Sequence, residues 1–243
     1  MATFDQSEYQ IRFEWGERGV AELAPISDFV VIVDVLSFST CVDVASSRGA
    51  TVFPFGWKDQ RAEAYAAEHE AILAGRRGQG TYSLSPPSLA DLPEAGRIVL
   101  PSPNGSTLTV AASEHATVLA GCLRNRSAIA DFINQQEGTV TVIACGERWQ
   151  PEDILRPALE DHIGAGAILQ KLEGNRSPEA ESAALLFAAV EDNLDETPQT
   201  CSSGKELIEK GFPGDVACAA SLDISRSVPL LSDGAYRNKK DSA

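Results

Sequence analysis

Phe29-Val30-Val31-Ile32-Val33-Asp34-Val35 decides the fold class. A strand with one wet face alternates apolar and polar residues, whereas this stretch is apolar at every position but Asp34 and suits a strand covered on both faces, as in a parallel sheet layered by helices. Asp34 then stands near the strand's C-terminal end, where open α/β sheets gather their ligands. Outward from this strand the pattern repeats. Residues 97–100 and 139–144 are apolar and β-rich, and each is followed by a helix-like stretch. Thr51-Val52-Phe53-Pro54-Phe55 and Ala116-Thr117-Val118-Leu119-Ala120 read as further short strands, with helical spacing over 58–73 and 127–136. Beyond Cys145 the chain turns helical over 154–172, 179–194 and 203–210. The expectation is an α/β fold of unusual topology, with a mostly parallel sheet flanked by helices and a helix-rich C-terminal part. Residues 1–243 read as one α/β domain, or as two interlocked lobes of about 1–120 and 121–243. Residues 74–93 collect Gly75, Gly78, Gly80, Pro86, Pro87 and Pro93 and read as a long loop, and 237–243 as a frayed end.

Composition narrows the function. A net charge of −15 over 243 residues repels polyanions, so the expected partners exclude nucleic acid and membrane surfaces. A small anionic substrate would instead need a local site of Arg, Lys, helix N-termini or a bound cation. No apolar run is long enough to span a bilayer and the start carries no basic-then-apolar leader, which reads as cytoplasmic. The five cysteines are odd in number and widely spaced, against a disulfide framework or a structural zinc site.

Familiar phosphatase motifs are excluded one by one. Dehalogenase-type chemistry needs a second aspartate two residues after the first, and Leu36 stands there. A cysteine phosphatase needs an arginine six residues after its cysteine, which none of the five has. Gly204-Lys205 lacks the preceding glycine of a P-loop.

Four polar clusters remain, each where a strand or loop hands over to a helix. Asp34 with Ser37, Ser39 and Thr40 reads either as a Mg²⁺ ligand with phosphate-binding hydroxyls or as a helix cap. Arg76-Arg77-Gly78 is either an anion clamp or a solvated basic loop. In Pro103-Asn104-Gly105-Ser106-Thr107, asparagine-glycine permits a turn with positive φ, followed by a helix whose free N–H groups face an anion; a plain turn is the other reading. Glu160-Asp161 lies beside Gly164 and Gly166, with Glu147 and Arg148 upstream. Neighbours on a helix point about 100° apart, so one of the two carboxylates is expected on the surface. The two glycines suggest something packed closely on that helix. Ser203-Gly204-Lys205 with Asp215 to Cys218 adds a cation and a carboxylate, or is a capped amphipathic helix.

Taken in order, these clusters resemble the 2-phosphosulfolactate phosphatase family from Val30 to Pro229. The matching pieces are Val31-Ile32-Val33-Asp34-Val35-Leu36 with Ser39-Thr40, Pro103-Asn104-Gly105-Ser106, Gly121-Cys122 with Asn125, Glu160-Asp161 with Gly164, and Gly211-Phe212 through Asp215 and Cys218 to Val228-Pro229. The resemblance implies a Mg²⁺-dependent phosphatase that releases inorganic phosphate from a three-carbon phosphosulfonate in coenzyme M synthesis. It makes Asp34, Asn104 and Asp161 the catalytic candidates and Asp34, Asp161 and Glu160 the metal candidates. Substrate contacts are then expected from Ser39, Thr40, Arg76, Gly105, Ser106, Asn125 and Lys205. The chain departs from the family at Ser37, where an arginine is often found, and at Ala74-Gly75-Arg76, where Gly-Glu-Arg is common.

The reading is thus a Mg²⁺-dependent hydrolase of a small acidic phosphomonoester, either 2-phosphosulfolactate or a related organophosphate, acting as a homodimer or higher homo-oligomer. The alternative is a catalytically weak relative that binds a small anion. A cysteine enzyme using Cys122 or Cys145 is the third reading.

Overall fold

The computed structural model describes residues 4–56 and 60–239. β2 (Phe29–Val33) justifies its uniform apolarity. Val30 and Ile32 enter one core with Phe38 and Val42 of α2 (Phe38–Ser47) and Leu108 of α4 (Gly105–Ser113). Val31 and Val33 enter a second core with Ile129 of α5 (Arg126–Asn134), Ile168 of α6 (Leu159–Leu169) and Ala183 of α7 (Pro178–Val190). All four are fully buried, each contributing about 1.5–3 kcal/mol of burial free energy, so a polar residue at any of them would face one core or the other.

Among the described residues nine strands form one sheet, in the order β1-β7-β2-β6-β10-β11-β3-β5-β4. β1 (Ile11–Trp15), β7 (Val140–Ala144), β2 and β6 (Thr117–Gly121) are parallel, with Val31 opposite both Val142 and Leu119. β3 (Thr51–Phe55), β5 (Arg97–Pro101) and β4 (Ile72–Leu73) form a second parallel block. The hairpin of β10 (Pro229–Ser232) and β11 (Ala235–Asn238) joins the blocks by antiparallel pairing to β6 and β3. The expected α/β architecture with a mostly parallel sheet and a helix-rich C-terminal part is therefore present. α6 and α7 form its tightest helix pair: a Cβ at Gly166 would sit 2.1 Å from the Ala183 carbonyl oxygen, so only glycine permits that approach.

Several expectations need correction. Residues 154–156 are not helical: β9 (Ile154–Arg156) pairs back on β8 (Glu147–Trp149), with Glu147 opposite Arg156, and α6 begins only at Leu159. The apolar Ile154-Leu155 pair suits either state, and the turn between the strands, with Asp153 at positive φ, decides it. Of the helix read over 58–73, α3 occupies Gln60–Glu68, Lys58 lies outside the described residues, and Ile72-Leu73 is strand β4. Arg237 and Asn238 belong to β11, anchored by fully buried Tyr236, while residues 240–243 lie outside the described residues. The loop over 74–93 is closed by a bridge between Gly75 and Ser83 and carries a 3-10 turn at Pro86–Leu89. β1 escaped notice because Arg12 and Glu14 interrupt its apolar residues, as an edge strand allows.

Candidate active site

Asp34 follows β2 directly and meets the N-termini of two helices. Its Oδ1 accepts the Phe38 N–H at 3.0 Å, at the start of α2, and its Oδ2 accepts the Gly105 N–H at 3.0 Å, at the start of α4. Each helix end presents unpaired N–H groups and partial positive charge, so the pair makes a cradle for a carboxylate. The anion expected at the Asn104-Gly105 helix start is thus the protein's own Asp34. Gly105 is needed there for space rather than for positive φ: a Cβ would lie 2.2 Å from Phe38 Cδ1 and 2.8 Å from Asp34 Oδ2. Because α4 follows β5 and α2 follows β2, this bond joins the ends of strands from both parallel blocks.

The hydroxyls expected to contact substrate are spent elsewhere. Ser39 Oγ donates to the Asp34 carbonyl at 2.8 Å and Thr40 Oγ1 to the Val35 carbonyl at 2.8 Å. Ser106 Oγ donates to the Leu100 carbonyl at 2.8 Å, and all three residues are fully buried. Asn125 is buried as well: its Oδ1 accepts the Cys122 N–H at 2.9 Å and its Nδ2 donates to the Ala120 and Ser227 carbonyls at 3.2 Å. These four side chains are buried and bonded to backbone groups of the protein itself.

Glu160 and Asp161 open α6, and both are buried, at 2% and 3% exposure, against the expectation that one would reach the surface. The helix start is enclosed on two sides. Asp161 latches the ends of β2 and β7 together, its Oδ1 accepting the Val35 N–H at 2.7 Å and its Oδ2 the Gly146 N–H at 2.8 Å. Glu160 turns to the other side, where Cys201, which caps α9 (Ser202–Glu209), donates its thiol to Oε2 at 3.4 Å. Glu147, just past β7, completes the group, and Asn104 Nδ2 donates to its Oε2 at 3.2 Å.

Burial and neighbouring carboxylate charge raise the proton affinity of Asp34, Glu147 and Asp161. Burial pushes Glu147 up to about 7, aided by the charges of Asp34 and Glu160. Burial likewise drives Asp161 well above the usual carboxylate range, with Glu160 and Asp34 adding to it. Asp34 is raised by burial too, although its two N–H donors and the Arg77 charge pull it back. A site that crowds negative charge in this way favours either a shared proton or a cation.

The cationic side of the site is Arg77, not Arg76. Arg77 Nε donates to Asp215 Oδ2 at 2.8 Å and Nη2 to Ser37 Oγ at 2.6 Å, whereas Arg76 and Lys205 are exposed. Arg156, on β9, donates from Nη2 to Ser203 Oγ at 3.0 Å, lies over the Trp149 ring, and exerts its charge on Glu147. Nothing in the sequence separates Arg77 from Arg76, adjacent in one glycine-rich loop, and Arg156 was hidden in a stretch read as helix. Glu147 was signalled only by its place after a strand. A cavity of about 300 Å³ opens beside this group, lined among others by Trp15, Asn104, Leu108, Cys145, Glu147 and Leu155. The cysteine-nucleophile reading is not supported by the environments of Cys122 and Cys145, because burial raises both thiols, Cys145 well above its ordinary value.

Among the described residues no group of three or more His, Cys, Asp or Glu side chains could hold a metal ion by itself. Magnesium, however, is commonly held through one or two carboxylates completed by water and substrate phosphate. The donors here are oxygens, and the raised proton affinities of Asp34, Asp161 and Glu147 show charge that a hard cation would relieve. The donor chemistry therefore fits Mg²⁺.

A family model described as 2-phosphosulpholactate phosphatase matches residues 19–234, which include every charged residue placed in this site. The chain belongs to the 2-phosphosulfolactate phosphatase family. Its relatives include a probable 2-phosphosulfolactate phosphatase of Gloeobacter violaceus, 31% identical over 86% of this chain and 91% of the relative. The 2-phosphosulfolactate phosphatase of Methanothermobacter thermautotrophicus is 27% identical over 86% of this chain and 88% of its own length. A probable 2-phosphosulfolactate phosphatase of Thermotoga maritima is 25% identical over 85% and 90%. Membership in the 2-phosphosulfolactate phosphatase family makes the chain a phosphoric monoester hydrolase and implies a small phosphorylated substrate. Among the described residues no helix is long and apolar enough to cross a membrane.

Proposed function

We propose that this chain is a Mg²⁺-dependent phosphatase that converts a small acidic phosphomonoester, 2-phosphosulfolactate or a related organophosphate, to the alcohol and inorganic phosphate. The observation that carries the reading is the convergence of Asp34, Glu147 and Glu160 with Arg77 where β2, β5 and β7 end. Asp34 and Glu160 would hold Mg²⁺, which when bound neutralises phosphate charge in the ground and transition states. Arg77 offers planar N–H donors to the phosphate oxygens. Glu147, oriented by Asn104, takes a proton from the attacking water and returns it to the departing alcohol oxygen, so no net proton is held between turnovers. Assembly as a homodimer or larger homo-oligomer in the cytoplasm, without nucleic-acid partners, belongs to the same proposal and is checked by light scattering of the purified chain.

One observation supports the alternative of an anion-binding relative with weak activity. All four oxygens of Asp34 and Asp161 already accept backbone N–H groups, as purely structural aspartates would. Phosphate release from a panel of small phosphomonoesters, with Mg²⁺ and after chelation, separates the two. Release that chelation abolishes supports the phosphatase. Absence of release, together with a thermal shift induced by phosphate in the folded protein, supports the binder.

A further inference from the structure

We infer that Asp215 is a positioning residue that holds Arg77 as the anion clamp, with Ser85 as the second tether; this deepens the proposed function and rests on the reading that Arg77 takes the substrate's anionic group. Asp215 stands in the first turn of α10 (Pro213–Ala220) and is buried. Its Oδ2 accepts Arg77 Nε at 2.8 Å and its Oδ1 accepts Ser85 Oγ at 2.5 Å. Both oxygens are thereby committed to the loop over 74–93, one near its start and the other just before its 3-10 turn. Phe212, the cap of α10, meets the same loop at Gly78, where an added Cβ would lie 3.7 Å from the ring.

Arg77 is consequently held at two nitrogens, Nε by Asp215 and Nη2 by Ser37 Oγ, and its Nη1 has no hydrogen-bond partner among the described residues. A guanidinium on a flexible stem must otherwise be ordered each time it binds an anion; one already fixed loses less freedom on binding. Ser37 lies in the loop that carries Asp34, so this bond anchors the guanidinium at that loop, and the Arg77 charge is felt at Asp34. The side-chain partners of Asp215 among the described residues are Arg77 and Ser85, and its part is played through Arg77.

The test is calorimetric titration of the full-length chain with inorganic phosphate in the presence of Mg²⁺, alongside steady-state kinetics, for R77A, D215N, S85A and the double variant R77A/D215N. Arg77→Ala and Asp215→Asn should each weaken phosphate at least tenfold, with kcat/KM falling by at least as much in both. Ser85→Ala should weaken it at least twofold. The double variant should bind no more weakly than R77A alone, the mark of one residue acting through the other. If R77A weakens phosphate while D215N and S85A do not, or if the two losses in R77A/D215N multiply, the positioning role is refuted and the clamp survives. If R77A itself leaves phosphate affinity unchanged, the clamp reading fails and the inference with it. Should D215N not fold, the S85A titration, made both with Arg77 present and in R77A, decides the matter by the same criteria.

Discussion

The floor and the mouth of the site use carboxylates in opposite ways. On the floor, Asp34 gives both oxygens to N–H groups at the starts of α2 and α4, and Asp161 gives both to N–H groups just past the ends of β2 and β7. At the mouth, Glu147 has the amide of Asn104 and borders the cavity, and it rides on the small β8–β9 hairpin outside the main sheet. The floor carboxylates build the site as well as equip it. The mouth carboxylate takes a single side-chain amide in place of two backbone donors.

The largest effect should come from Asp161→Ala, which leaves the Val35 and Gly146 N–H groups buried without acceptors. At about 1–3 kcal/mol for each orphaned donor, stability in urea should fall by several kcal/mol together with all activity. Unchanged stability would erase the distinction between floor and mouth. Gly105→Ala should come next: its Cβ meets Phe38 and Asp34, an overpacking cost of about 1–3 kcal/mol, and activity should fall because Asp34 is displaced. Full activity in this variant would show that α4 can move away from Asp34 freely.

Glu147→Gln should act in the other direction on stability. A carboxylate with a pKa near 4.5 unfolded and about 7 folded favours the native state while protonated. Its contribution is therefore present below about pH 4.5 and is lost as pH rises through about 7. Removing the charge should raise stability at pH 8 by up to about 3 kcal/mol relative to wild type, flatten the pH profile of Tm between pH 5 and 8, and reduce kcat about 100-fold. A parallel, unflattened profile would place Glu147 in solvent. The smallest effects belong to Arg76→Ala and Lys205→Ala, within about 0.5 kcal/mol in stability and twofold in KM, since both are exposed. A tenfold change in KM for either would restore it to the site.

Much of this was legible beforehand at the strands. The run from Phe29 to Val33 suited a doubly covered strand and placed Asp34 near its C-terminal end. Gly164 and Gly166 announced a closely packed α6, and Gly166 lies against α7. The hydroxyls misled. Ser39, Thr40 and Ser106 look the same in sequence whether they face a phosphate or a carbonyl, and only the backbone path shows that the carbonyls are nearer. Glu160 and Asp161 misled for a related reason, because helical geometry separates their directions but does not say that protein waits on both sides.

The sequence by itself determined the α/β layers and the place of Asp34 at a strand end, because apolar periodicity acts locally, and the order of its motifs carried the resemblance to a phosphatase family. The tertiary structure alone decided that Asp34 takes its N–H donors from two helices, that Arg77 rather than Arg76 is tethered by Asp215, and that Arg156 pairs across a hairpin with Glu147. Those choices depend on which segments, distant along the chain, come within hydrogen-bond reach of one another, and burial then fixes them by making any unpaired charge or donor costly.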